Sequence, residues 1–317
     1  MALPPPCHRP VARIEDAAAQ KEAAPGVGMA VVRITAGEGG PQGLAALAPA
    51  LAGLPGGAPV AVLVHGYRYA PGHPRDCPHD DILAPEGAAS WPRGLGLAGQ
   101  GGLAVCFGWQ ARGGLHAAYG RAGAAGQALA DLVAHLRTVA PGQRIALMGH
   151  SLGARVVLSA LAALPAGAAD LAILLAPAEL AGPGAAALAA PAARGLPVIH
   201  VTSAENALFE RGFGLLMGAA PIGLAPVRHP GWIDLRLDDP AVLAALARLG
   251  HPVGPRAARI CHHSSYTRPG ALALQGALIA GRLGPGALRD ALPAAAPRPP
   301  RWRLPGLGGG MGAFSRA

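Results

Sequence analysis

The stretch RIALMGHSLGARVV, Arg144–Val157, decides how the rest of the chain is read. Ile145–Met148 is an aliphatic run suited to a buried strand, and Leu152, Val156, Ser159, Ala160 and Ala163 recur at helical spacing. Between them, Gly149-His150-Ser151-Leu152-Gly153 forces a turn so tight that its serine takes a strained backbone, with the hydroxyl standing clear of the sheet edge. Glycines are needed two residues before and after, because a Cβ there would strike the neighbouring strand or helix. The following helix aims its first N–H groups and the positive end of its dipole at any charge that develops above the serine. Ser151 is thus the candidate nucleophile. The same five-residue pattern also arises by chance in a chain with 47 glycines, with Ser151 only a helix cap, so the reading depends on partners elsewhere.

Taken in order, residues 1–27 are rich in proline and mixed charge and read as a flexible leader. Met29–Thr35, Pro59–Val64, Leu103–Trp109, Asp170–Ala176, Pro197–Ser203 and Trp232–Leu237 read as strands; Pro59–Val64 has no polar alternation, as befits a strand covered on both faces. Helices are expected at Leu44–Leu51, Leu115–Val139, Pro183–Arg194, Ala241–Leu249 and Ala271–Leu283, with Arg68–Gly102 a long surface loop holding one short helix. Strands alternating with helices at this rhythm predict a doubly wound, mostly parallel α/β sheet spanning residues 28–284. Leu208–Pro226 is read as an inserted lid or as the packed cap of one sheet end, and residues 285–317 as a disordered Pro/Gly-rich tail.

Functional residues of such sheets gather at the carboxyl ends of the strands, where three further stretches stand. His65-Gly66-Tyr67 follows Pro59–Val64; its glycine permits a sharp turn, so the Tyr67 N–H, together with that of Leu152, is expected to form an oxyanion hole. Val201-Thr202-Ser203-Ala204-Glu205-Asn206 follows a later strand, and a serine hydrolase needs a carboxylate there. By location alone Glu205 is the expected triad acid, with Glu210 and Asp234 as substitutes; Asn206 could orient an imidazole but not offset its charge. Cys261-His262-His263-Ser264-Ser265-Tyr266 comes last, where the general base belongs; His262 is preferred and His263 is the alternative. His65, Gly66, His150 and Trp109 are expected to border the substrate, although a buried Trp109 beside an exposed Arg112 fits equally well.

Together VLVHGY, GHSLG and the late histidine resemble the α/β-hydrolase superfamily over about Met29 to Leu283. VHGYRY, CFGWQARG, VTSAEN and HHSSYTRPG further resemble a bacterial branch of uncharacterised, esterase-like members. In that branch the acid loop commonly reads Glu-Asn-Asp and the base loop His-Trp-Ser-Ser-Tyr. Here Ala207 stands where the Asp would be, and the second comparison ranks His262 above His263. The resemblance implies an α/β-hydrolase fold and a serine esterase acting through an acyl-enzyme on esters or thioesters. Ala207 motivates the rival expectation, an impaired scaffold retained for binding.

Composition narrows the remaining classes. The formal net charge is +9, but nearly all of it is dispersed arginine, Lys21 being the only lysine, and no basic run interleaves with aromatics; nucleic acid is not expected as a partner. Cys7, Cys77, Cys106 and Cys261 are too far apart for a zinc site or a disulfide framework. His73, His79, Asp80 and Asp81 are irregularly spaced and read as a solvated loop, so neither metal nor cofactor is expected. The N-terminal stretch has no apolar signal core, and every long apolar run is broken by Gly, Pro or Arg. The expectation is a cytoplasmic protein without an integral membrane segment, whose partner is a small ester or thioester.

Overall fold

A computed structural model describes residues 30–97 and 101–294. The strands are β1 (Ala30–Gly37), β2 (Gly40–Gln42), β3 (Pro59–Val64), β4 (Leu103–Gly108), β5 (Arg144–His150), β6 (Leu171–Leu175), β7 (Val198–Thr202) and β8 (Trp232–Arg236). They form one sheet in the order β2-β1-β4-β3-β5-β6-β7-β8, parallel throughout except for the β1–β2 hairpin. Every residue of β3, β4, β6 and β7 is buried, as unbroken aliphatic runs require when both faces are covered.

The helices are α1 (Leu47–Ala52), α2 (Trp91–Leu95), α3 (Leu115–Val139), α4 (Leu152–Ala163), α5 (Ala181–Ala189), α6 (Ala207–Met217), α7 (Pro240–Arg248), α8 (Ser264–Thr267), α9 (Ala271–Ile279) and α10 (Pro285–Ala291). Alternate strand residues feed two cores. Val60, Val62, Val64, Ile145 and Leu147 pack under α1, α3, α4 and α5. Ala61, Leu63, Ala146 and Met148 pack on the other face, under α2, α7, α9 and α10. This is the doubly wound α/β class the strand–helix rhythm predicts.

Several expectations need correction. The segment from Arg68 is more than a surface loop: Ile82, Leu83, Trp91, Leu95 and Leu97 are buried against the sheet. The tail expected from residue 285 begins with α10, whose Leu288 is buried; residues 295–317, like the expected leader, lie outside the described residues. His79 is buried too, whereas Asp80 pairs with Arg33 and Asp81 accepts from the Tyr69 hydroxyl. Cys77, Cys106 and Cys261 are buried. Among the described residues no helix is long and apolar enough to cross a membrane.

Candidate active site

Strand β5 ends at His150 and α4 begins at Leu152, so Ser151 makes the whole turn alone, at φ 54° and ψ −121°. A non-glycine residue at positive φ is costly and persists only where its surroundings over-determine it. Those surroundings are visible. The Ser151 N–H donates to the Leu175 carbonyl at 2.9 Å, and its own carbonyl accepts from Ala154 and Ala178, each at 3.0 Å. Glycine is mandatory on both sides: a Cβ at Gly149 would sit 2.4 Å from the Gly153 carbonyl oxygen, and one at Gly153 would sit 2.4 Å from that of Val64.

The loop after β3 presses against this turn. A Cβ on Gly66 would lie 3.0 Å from both the Ser151 Cβ and the His150 carbonyl oxygen. His65 braces the loop from beneath. Its Nδ1–H donates to the Gly66 carbonyl at 2.9 Å, and its Nε2 accepts from the Trp109 N–H at 3.0 Å. The Trp109 indole N–H returns a bond to the His65 carbonyl at 3.0 Å, and the rings stack. Burial pulls the His65 pKa down to about 3, so the ring stays neutral, as its accepting Nε2 requires. The substrate-bordering role expected of His65 and Trp109 is therefore corrected: both are fully buried, and they shape the loop. Tyr67, half-buried, anchors the loop through its hydroxyl, which donates to the Gly113 carbonyl.

From the other side comes the segment ahead of α8. His150 Nε2–H donates to the His262 carbonyl at 3.0 Å, and the two rings lie 4.6 Å apart. His262 is thus held against the residue preceding Ser151, with the Phe209 ring stacked on it at 5.1 Å. His263 packs 5.5 Å from His150 and 5.8 Å from Tyr266. Enclosure, followed by the neighbouring His263, lowers the His262 pKa to about 3. The imidazole is neutral at ordinary pH.

The partner of that imidazole departs from expectation. His262 Nδ1 lies 2.7 Å from Asn206 Oδ1, so Nδ1–H donates to the amide and the Nε2 lone pair is left to accept a proton. Glu205 is not the partner of His262 Nδ1. Its carboxylate is fully buried, with Oε1 3.6 Å from Arg268, and its backbone carbonyl accepts from the Cys261 N–H at 3.0 Å. The reserve acids are elsewhere as well. Glu210 is packed beneath Gly223, and Asp234 pairs with His200. Ala207, where the resemblance anticipates Asp, opens α6.

The chain's 208–226 stretch is stitched down as a cap. Phe213 packs on Tyr119, Ile222 N–H donates to the Glu179 carbonyl at 2.8 Å, and Leu180 bridges Pro221. Glu179 is itself bound by both the Tyr119 hydroxyl and Arg155, which lies one turn into α4. Burial raises the Glu179 pKa while Arg155 opposes the shift. Sequence reading missed this cluster, which fixes the cap to the helix that follows Ser151.

The site is therefore a strained serine between β5 and α4, whose preceding residue, His150, packs against a neutral histidine that an amide holds. No protein-family profile and no curated protein sequence matches the chain. Among solved structures, the catalytic core domain of acetyl xylan esterase from Trichoderma reesei is similar at a TM-score of 0.33 and 15% identity, over 74% of this chain and all of that one. Nothing about the site follows from so distant a likeness.

Proposed function

We propose that the protein is a serine hydrolase of carboxylic esters or thioesters, with Ser151 as nucleophile, His262 as general base and Asn206 as the group that orients the base. The observation carrying this reading is the strained Ser151 turn whose preceding residue, His150, packs against His262, an imidazole with its Nδ1 engaged by Asn206. Ser151 Oγ attacks the acyl carbon while His262 Nε2 takes its proton. The tetrahedral intermediate collapses, the C–O or C–S bond breaks and the proton passes to the leaving group. Water, deprotonated by the same Nε2, then releases the acid and frees Ser151. The N–H groups of Leu152 and Tyr67 stabilise the oxyanion; each such donor is typically worth about 3 kcal/mol in the transition state. An amide can fix the imidazole tautomer, as it does in cysteine–histidine–asparagine sites, but it adds no charge to balance the imidazolium.

That missing charge, together with Ala207, favours a second reading: an impaired scaffold kept for binding. Intact mass after treatment with a fluorophosphonate separates the two. A single adduct on the wild type, absent from Ser151→Ala, is expected of the hydrolase. No adduct on folded wild type would favour the scaffold.

A further inference from the structure

Among the described residues the large hydrophobic side chains left exposed are Val139, Leu208, Leu215, Leu216 and Ile260. All but Val139 lie on the two segments that enclose His262. Leu208, Leu215 and Leu216 are 53%, 60% and 58% exposed and, seven and eight residues apart, share one side of α6. Ile260 is 48% exposed and precedes Cys261, whose N–H is tied to the Glu205 carbonyl. Phe209, between Leu208 and the buried side of α6, rests on the His262 ring. Scattered exposed leucines are ordinary on a soluble surface, whereas a group of them at the rim of one site is not.

The exposed charged side chains on these two segments are all of one sign. Arg211, Arg256 and Arg259 are exposed, while Glu205 and Glu210, the acids in residues 204–220, are buried; residues 254–263 contain no acid. We infer that α6 and the 254–263 segment form a face that seats on an anionic lipid–water interface. The leucines and Ile260 enter the acyl boundary while the arginines meet the headgroups. The formal charge of +9 adds long-range attraction to such a surface. A second copy of the chain is a poorer occupant, because a two-fold contact would set these arginines against their own counterparts. If the ester-hydrolase reading holds, on which this consequence rests, the substrates are acyl lipids presented at that interface beside Ser151.

The test is sedimentation of the full-length protein with vesicles of phosphatidylcholine alone or of phosphatidylcholine with phosphatidylserine. Wild type is compared with the double variant Leu215→Asp/Leu216→Asp and with Arg211→Glu/Arg259→Glu. Binding to the anionic vesicles is expected to be at least about tenfold stronger than to the neutral ones and to weaken in high salt. Each variant is expected to lose about tenfold or more of that binding while hydrolysing a short water-soluble ester within about twofold of wild type. Wild type that ignores anionic vesicles overturns the inference. So does a concentration-dependent dimer that the leucine variant abolishes, which would give the face to a second copy. Because binding is read without turnover, inactivity toward every ester would defeat the hydrolase reading and leave the interface result standing.

Discussion

Two histidines in this molecule hold a side-chain oxygen at the same distance, and they make opposite use of it. His200, in the middle of β7, has Nδ1 2.7 Å from Asp234 Oδ1; His262 has Nδ1 2.7 Å from Asn206 Oδ1. The carboxylate thus belongs to the pair that lies away from the serine. In register His200 pairs with Leu174 and Leu174 with Gly149, which puts His200 two strands from β5 and inside the sheet. His262 stands beyond the strand ends, against His150. An aspartate–histidine pair does not by itself make a catalytic site; the proposed reading rests instead on position at the carboxyl edge, against the residue that precedes the strained Ser151 turn. Asp234 serves the edge strand, where it also accepts from the Trp232 indole N–H at 3.1 Å.

The contrast can be broken experimentally. The largest effect is expected from His262→Ala, which should lower kcat/KM for a short activated ester by about 10⁴-fold, since a triad fails as a unit when its base is lost. His263→Ala should cost less than about tenfold; equal losses would move the base to His263. Asp234→Ala should leave kcat/KM within about twofold and lower unfolding stability by about 1–3 kcal/mol, because it leaves the fully buried His200 ring without its acceptor. A collapse of activity in a folded Asp234→Ala protein would erase the distinction between the two pairs.

A smaller effect is expected in the pH dependence of stability. His65 and His262 have pKa values lowered to about 3 and His79 to about 4, all mainly by burial. Each is neutral when folded and takes up a proton on unfolding between its folded value and about 6.5. The unfolded state then binds more protons, so stability rises with pH across that window and falls on acidification. Denaturant midpoints should drop between pH 6.5 and 4, each neutral histidine contributing up to about 1.4 kcal/mol per pH unit. His65→Asn should flatten that slope; midpoints independent of pH would contradict the burial of neutral rings.

Much of the frame was legible because its causes are local. Gly149 and Gly153 announce the turn at Ser151, and unbroken aliphatic runs announce strands covered on both faces. Gly40–Gln42 offers no such pattern and is a strand only because β1 pairs with it. The apolar residues between Ile82 and Leu97 are scattered among prolines and glycines, which hides their burial behind a loop-like composition. In sequence Asn206 stands only as a residue able to orient an imidazole, ranked behind Glu205, and the reason is geometric. Residues 204–206 form a 3₁₀ turn, in which successive side chains diverge by about 120°. Glu205 therefore turns toward Arg268 and Asn206 toward His262, although location alone favours the carboxylate. Likewise, the burial of His65 and Trp109 depends on contacts across β3 and β4 that no single strand discloses.

The central claim is that a neutral amide, Asn206, rather than a carboxylate, holds the histidine that serves Ser151. It is tested most directly by the pH dependence of kcat/KM for one activated ester in wild type, Asn206→Asp and Glu205→Gln. The aspartate should raise the plateau by about ten- to a hundredfold and move the acid limb upward by about 1–3 pH units, as an opposite charge beside an imidazole does. Glu205→Gln should leave the limb where it is. An acid limb that shifts in Glu205→Gln and stays fixed in Asn206→Asp would contradict the account and return the triad to Glu205.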